Sequence, residues 1–197
     1  NIVRCLDSLE AFSQVIVVDS GSTDETVSLA SAAGAEVVHF AWNGAYPKKR
    51  QWCLENLNLR HEWVFFIDAD EEATPEFFEA LWRIEWNKAR YAGFFVKGAY
   101  VWNGRVLRHG LMNNKLCILH RGRMEFPLVN DLDIPGMGEM EGHYQPVRCT
   151  GFEDAPVGRI GPFILHHALE DMKGWQARHE RYARWEAEMD ARRVHPQ

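Results

Sequence analysis

The chain is poor in several features that would narrow its class. Its four cysteines, Cys5, Cys53, Cys117 and Cys149, are isolated, with no C-x-x-C spacing. That excludes a zinc ribbon or a dithiol redox motif and leaves reduced, partly buried thiols. No run approaches the roughly 18 apolar residues of a membrane span, and no charged-then-apolar leader precedes a cleavage site, so the expectation is a cytoplasmic protein. Positive charge is in deficit: 22 Lys and Arg stand against 28 Asp and Glu, giving a formal charge of −6 and a pI near 5.8. This balance argues against nucleic acid as a partner, so an anionic ligand must be held by local features or a metal ion. Internal repeats, low-complexity tracts and linkers are also lacking. At 197 residues, 46% apolar and 12% aromatic, the chain suits one well-buried α/β domain spanning residues 1–197.

What is present is an alternation of periods. "QVIVVD" (residues 14–19) is a continuous β-branched run, the pattern of a strand covered on both faces in a parallel sheet. "SGSTDETVSLASAAGAE" predicts a turn and a helix, with Ser22 and Glu25 spaced as a capping box and Gly34 as the stop. "AEVVHF" predicts a second strand, "PKKRQWCLENL" a second helix with Pro47 in its first turn, and "EWVFFI" a third strand. Such an order implies right-handed crossovers and parallel pairing. Thr74 and Pro75 stand as N-cap and first residue of "PEFFEALWRIEWNKAR", in which Phe78, Leu81 and Trp82 make an apolar stripe with Glu85 outside. From Tyr91 the pattern shifts to short strands with Gly and Asn turns, "AGFFVKGAYVWNGRVL" and "NKLCILHRG", which read as antiparallel. Residues 126–159 are rich in Gly, Pro and acids and weakly periodic, as functional loops are. "LEDMKGWQARHERYARWEAEMDARR" predicts a long helix with Met172, Trp175, Tyr182 and Met189 on one side.

Both acidic motifs fall at carboxyl ends of predicted strands, where ligands gather in an open parallel sheet. "WVFFIDADEEATPEFF" runs an apolar strand straight into carboxylates. Such a cluster gains nothing in stability unless its charges are paired or bound to a cation. In extended structure Asp68 and Asp70 point to the same side, so the pair can face one ion, and hard oxygen donors suit Mg²⁺ or Mn²⁺. The alternative is that they cap the next turn. In "VVDSGSTDET", Asp19 ends a strand ahead of small hydroxyl residues, which can hold a base or ribose edge while the helix start offers N–H groups. A capped turn explains Ser22 and Glu25 but not Asp19.

Together, "VIVVDSGSTDETVSLA", "WVFFIDADE" and "HERYARWEAE" resemble family 2 glycosyltransferases of the GT-A fold, and more narrowly bacterial enzymes that build lipopolysaccharide core or exopolysaccharide. The resemblance implies an α/β, Rossmann-like fold. Its mostly parallel central sheet would be flanked by helices, with a smaller antiparallel acceptor-side part and a C-terminal helix. It further implies transfer, with inversion and with Mn²⁺ or Mg²⁺, of a sugar from a nucleotide-sugar donor to a saccharide or lipid-linked saccharide acceptor. On the same basis Asp19, Ser20, Gly21 and Asp24 match the nucleotide-binding segment, and Asp68, Ala69 and Asp70 the metal and diphosphate motif. "ILHHALEDMKGW" resembles the family's late histidine segment and puts His166 at a metal-ligand position, while His167 and Ala168 depart from the usual acidic pair. A hydrogen-bonded histidine at a strand end is the alternative for His166.

An inverting transferase needs a base to take the acceptor hydroxyl proton. "GMGEMEGHYQP" offers Glu139, Glu141 and His143; Glu141 is the preferred base and Asp131, in "LVNDLD", its rival. Lys48, Lys49 and Arg50 lie at a helix start, the unfavourable end for the dipole, and read as solvated charge, with Lys49 by resemblance near the diphosphate. Trp42, Trp102, Trp175 and Trp185 suit core packing or sugar stacking. Lys173, Arg178, Arg181, Arg184, Arg192 and Arg193 concentrate positive charge around the last helix. They read either as a solvated face or as peripheral contact with the cytoplasmic face of the inner membrane. A central strand precedes the first helix in the resembling family, so the expectation is that residues 1–197 lack their first β-strand. Two other functions stand beside the transferase: a saccharide- or nucleotide-binding module without turnover, and a sugar-phosphate nucleotidyltransferase, which would need a Gly-rich phosphate loop not visible here.

Overall fold

In the first forty residues the expected strand, helix and strand form. Helix α1 (Ile2–Asp7) leads into β1 (Ile16–Asp19), α2 (Thr26–Ala32) and β2 (Glu36–His39). β1 and β2 pair in parallel, from Ile16 opposite Glu36 to Asp19 opposite His39. Ile2 and Leu6 of α1 and Ala30 of α2 bury themselves against Val15, Val17 and Val37, which gives the β-branched run its cover. Gly34 ends α2 at φ 82°, the left-handed stop that only glycine adopts without strain. The capping box does not form. Glu25 is itself the N-cap and makes no side-chain cap bond; the Ser22 N–H is taken by Asp19, and Asp24 Oδ1 accepts from the Thr26 N–H at 3.0 Å.

The computed structural model describes residues 1–87, 90–107, 109, 113–134, 145–167 and 172–193. After α3 (Lys49–Asn56) come β3 (Trp63–Phe65), β4 (Glu71–Glu72), α4 (Pro75–Trp82), β5 (Gly93–Trp102), β6 (Arg105–Val106) and β7 (Asn113–His120). β8 (Met124–Glu125) and β9 (Val147–Arg148) pair with each other, and β10 (Val157–His166) and α5 (Met172–Ala191) follow. The main sheet has the order β3-β7-β5-β10-β4, with β6 folded back on β5. It is mixed rather than mostly parallel: β5 and β10 run parallel, whereas β3 with β7, β5 with β7 and β10 with β4 are antiparallel. The alternation extends the parallel expectation to β3 because a helix precedes it, but β3 takes as neighbour β7, whose direction opposes β5. Asn103 and Gly104, at φ 46° and 72°, make the tight turn of the β5–β6 hairpin, as the Asn-Gly dipeptide predicts.

Packing of α4 on this sheet forms the largest core. Thr74 Oγ1 accepts from the Phe77 N–H at 3.3 Å and Pro75 opens the helix, as expected. Of the predicted stripe, Leu81 is buried against Val96, Ile118 and Ile164 and Phe78 is half-buried against the same core; Phe77 joins them, and Trp82 is 74% exposed instead. On α5, Trp185 and Met189 pack against Val129 and Ile134, while Trp175 stays exposed. All four cysteines are free thiols, and burial pushes Cys5 and Cys117 up to about 12. No helix of the described residues is long and apolar enough to cross a membrane.

Among the described residues β1 pairs only with β2, and β3 only with β7. A cleft of about 890 Å³ touches both strands, with Val15, Ile16 and Val18 on one side and Trp63, Phe65 and Ile67 on the other.

Candidate active site

Asp19 stands at the end of β1, where the chain turns toward α2. Its carboxylate accepts from the Gly21 N–H at 2.9 Å and from the Ser22 N–H at 3.1 and 3.2 Å, and it is only 6% exposed. Gly21 makes this possible by taking φ 89°. The Ser22 side chain, and then the two backbone donors, hold the carboxyl below its usual range against the opposing effect of burial. Turn capping therefore accounts for Asp19, which the sequence pattern alone did not explain. Ser20, Gly21 and Asp24 are exposed around it, and His39 Nδ1 lies 3.8 Å from Asp19 Oδ2.

Beyond β3, residues 68–71 do not continue the strand. The Glu71 N–H donates to the Asp68 carbonyl at 2.9 Å, and Glu71 Oε2 accepts from the Asp68 N–H at 2.9 Å, closing a turn. The extended geometry expected to put Asp68 and Asp70 on one side is therefore absent. Asp68 is claimed by cations of the protein: Arg50 Nη2 reaches Oδ1 at 2.9 Å and Lys115 Nζ reaches Oδ2 at 2.6 Å. Lys115 also donates to both carboxylate oxygens of Glu71 at 2.8 Å. Burial pushes Asp68 up, but the charges of Lys115 and Arg50 more than reverse this and leave it well below the carboxylate range. In Glu71, which is 1% exposed, burial wins and the carboxyl is raised.

Asp70 meets His166 at the end of β10. His166 Nε2 lies 3.5 Å from Asp70 Oδ2, its ring stacks on Tyr100 at 4.9 Å, and its buried Nδ1 has no hydrogen-bond partner among the described residues. Antiparallel pairing of β10 with β4 sets His166 opposite Glu71. Beside them, His167 Nε2 is 2.8 Å from Glu72 Oε2, so the residue that departs from the family's acidic pair finds an acidic partner across the strands. Ala69 is exposed at the turn.

Of the residues implied as metal ligands, Asp70 and His166 come together, while both oxygens of Asp68 are occupied by Lys115 and Arg50. Among the described residues no group of three or more His, Cys, Asp or Glu side chains is placed to hold a metal ion. An oxygen and an imidazole nitrogen 3.5 Å apart, next to an orphaned buried ring nitrogen, nonetheless fit as a partial donor set for Mn²⁺ or Mg²⁺. Such ions take one or two protein ligands and complete their shell with substrate phosphates and water.

The basic run at the start of α3 is not simply solvated. Lys48, 1% exposed, ion-pairs at 2.8 Å with Asp131, 0% exposed; Trp185 Nε1 donates to the same carboxylate at 3.3 Å. Lys49 lies with its ammonium 6.0 Å from the centre of the Phe40 ring. Gln51 Oε1 accepts from the Phe126 N–H at 2.7 Å, so one helical turn ties residues 126–131 to the Asp68 turn. Glu139, Glu141, His143 and Ala168 lie outside the described residues. Lys115 and Glu71 were not singled out from the sequence. The available signal was a lysine inside "NNKLCILH", a strand that goes on to five buried residues, since a charge so placed needs a buried partner.

Residues 1–153 match the model of Glycosyl transferase family 2. An uncharacterized glycosyltransferase of Rickettsia conorii is 37% identical over 99 residues, covering 49% of this chain and 34% of the relative. The lipopolysaccharide core biosynthesis glycosyltransferase LpsC of Rhizobium meliloti is 36% identical over 83 residues, covering 40% of this chain and 30% of LpsC. The prophage-derived glycosyltransferase SunS of Bacillus subtilis is 33% identical over 78 residues, covering 38% of this chain and 18% of SunS. The match thus spans about a third or less of these curated relatives' length. With the family model covering well over half of its residues, the chain belongs to glycosyl transferase family 2.

Proposed function

We propose that this domain transfers a sugar from a nucleotide-sugar donor to a saccharide or lipid-linked saccharide acceptor, with inversion, in the synthesis of bacterial cell-surface polysaccharide or lipopolysaccharide. The observation that carries the reading is the meeting of Asp70 with His166 beside a charge-compensated Asp68. The likeness to LpsC supports the pathway. In this reading the Asp19 turn, with Ser20, Gly21 and Asp24, receives the nucleoside, and Lys49 and Ala69 flank the diphosphate. Asp70 and His166 would hold Mn²⁺ or Mg²⁺, which supplies positive charge to the diphosphate as it leaves. Asp68 acts through its neighbours rather than as a direct ligand.

Glu141 takes the proton from the acceptor hydroxyl while that oxygen bonds to the anomeric carbon and the bond to the diphosphate breaks. Asp131 suits this task less well, because a base must reach the acceptor and this carboxylate is 0% exposed and paired to Lys48. The setting is cytoplasmic. Peripheral contact with the inner membrane would use the basic residues around α5, of which Arg192 is engaged by Asp133 and Glu188.

The test is a thermal-shift screen of nucleotide sugars with and without Mn²⁺, followed by an assay for released nucleotide with saccharide acceptors. Metal-dependent stabilisation by one donor, and acceptor-dependent nucleotide release that Glu141→Gln lowers by about 10²–10⁴-fold, would support the reading. Donor binding without release would leave a binding module.

A further inference from the structure

The carboxylates of the 68–71 turn and the cations that cover them are unequally disposed. Asp68 gives one oxygen to Arg50 and the other to Lys115, and Lys115 at the same time bridges both oxygens of Glu71. Asp70 and His166, directly adjacent, form no direct hydrogen bond with each other at 3.5 Å. Strand pairing fixes this asymmetry: Lys115 sits on β7 opposite Val96, and Glu71 sits on β4 opposite His166. Lys115 is 13% exposed on its side chain and Glu71 0%, so the ammonium is held by the sheet and does not wander.

We infer that Lys115, helped by Arg50, is a positioning residue that makes divalent-metal capture conditional on the nucleotide diphosphate. The inference rests on the proposed metal role of Asp70 and His166. Together with Arg50, Lys115 offsets the charge of Asp68, weakening the negative field that would draw a bare cation, and its bonds to Asp68 Oδ2 and to Glu71 keep these carboxyl groups from turning toward the ion. Two protein donors alone hold Mn²⁺ or Mg²⁺ weakly; diphosphate oxygens complete the shell. The site thus takes metal and nucleotide together. Without Lys115, Asp68 would keep Arg50 on one oxygen only, and its Oδ2 would be free to turn toward a cation beside Asp70.

The experiment measures Mn²⁺ binding by electron paramagnetic resonance, with Mn²⁺ alone and with Mn²⁺ plus UDP, GDP or dTDP in turn. It uses the wild-type domain, Lys115→Met, Lys115→Arg, Arg50→Met and Asp70→Asn. Wild type is expected to bind Mn²⁺ weakly alone and much more tightly with one nucleotide. Lys115→Met should raise affinity for Mn²⁺ alone by about tenfold or more and shrink the enhancement by nucleotide. Lys115→Arg should behave as wild type, because charge and reach are kept. Arg50→Met, at a side chain 30% exposed, should move in the same direction as Lys115→Met by a smaller factor and serves if Lys115→Met does not fold. Unchanged or weaker binding of Mn²⁺ alone in both methionine variants overturns the inference while the metal site stands. Nucleotide-enhanced Mn²⁺ binding that survives Asp70→Asn overturns the metal reading, and the inference with it.

Discussion

One helical turn of α3 reaches into two charge clusters that differ in almost every respect. Lys48 closes a pair with Asp131 at 1% and 0% exposure, whereas Arg50 meets Asp68 with side chains 30% and 45% exposed. The first pair is shut away with Trp185 and ties α3 to α5. The second is the solvent-facing end of a network whose other members, Lys115 and Glu71, have side chains 13% and 0% exposed. A dry ion pair makes little net contribution over an apolar replacement, yet it is severely destabilising when halved. A part-exposed pair such as Arg50 with Asp68 contributes little to folding and stays within reach of a ligand. Architecture rests on the first and chemistry on the second.

That contrast can be broken at its strong end. Asp131→Ala leaves Lys48 charged and buried, and denaturant unfolding is expected to show a loss of about 3–5 kcal/mol. Replacing both partners, with Lys48→Met and Asp131→Leu, should recover most of it; equal loss in the double variant would mean the pair has a role beyond self-compensation. Thr74→Ala supplies an uncharged yardstick, because it removes the N-cap acceptor of α4 and should lose about 1 kcal/mol in the same assay.

At the weak end, Asp68→Asn should change stability at neutral pH less than Asp131→Ala, and its signature lies in acid. Asp68 has its folded pKa below the unfolded value of 3.8, so its contribution is present above that value and is lost as pH falls through the folded one. Wild type should therefore lose stability more steeply than Asp68→Asn between about pH 5 and pH 2. Parallel curves from a pH series of thermal melts would remove Asp68 from the acid response.

Much of the local structure was legible because it depends on neighbours in sequence. The β-branched run of β1, the Gly34 stop, the Thr74 and Pro75 start of α4 and the Asn103-Gly104 turn each follow from backbone preference and appear where expected. Failures came where partners are distant. β3 was read as parallel because only its flanking helix was visible, while its neighbour β7 begins some fifty residues later. Asp68 and Asp70 were read as a pair on extended backbone, but Glu71 closes a turn and Lys115, 47 positions away, takes Asp68. Lys48 looked solvated because Asp131, its partner, lies 83 positions on. The acidic cluster as a location could be read from sequence. Its internal division of labour could not, since that depends on which cations the sheet brings to it.

Among the described residues β1 pairs with β2 alone, which has a consequence for the clock of the molecule. β5 has bonded neighbours on both sides, β7 and β10, so its amides open only when much of the sheet opens. β1 is bonded along one side by β2 and flanks the open cleft on the other. In deuterated water the amides of Ile16 to Asp19 should exchange long before those of Phe94 to Ala99. The strand that carries Asp19 to its turn would then be among the first to loosen.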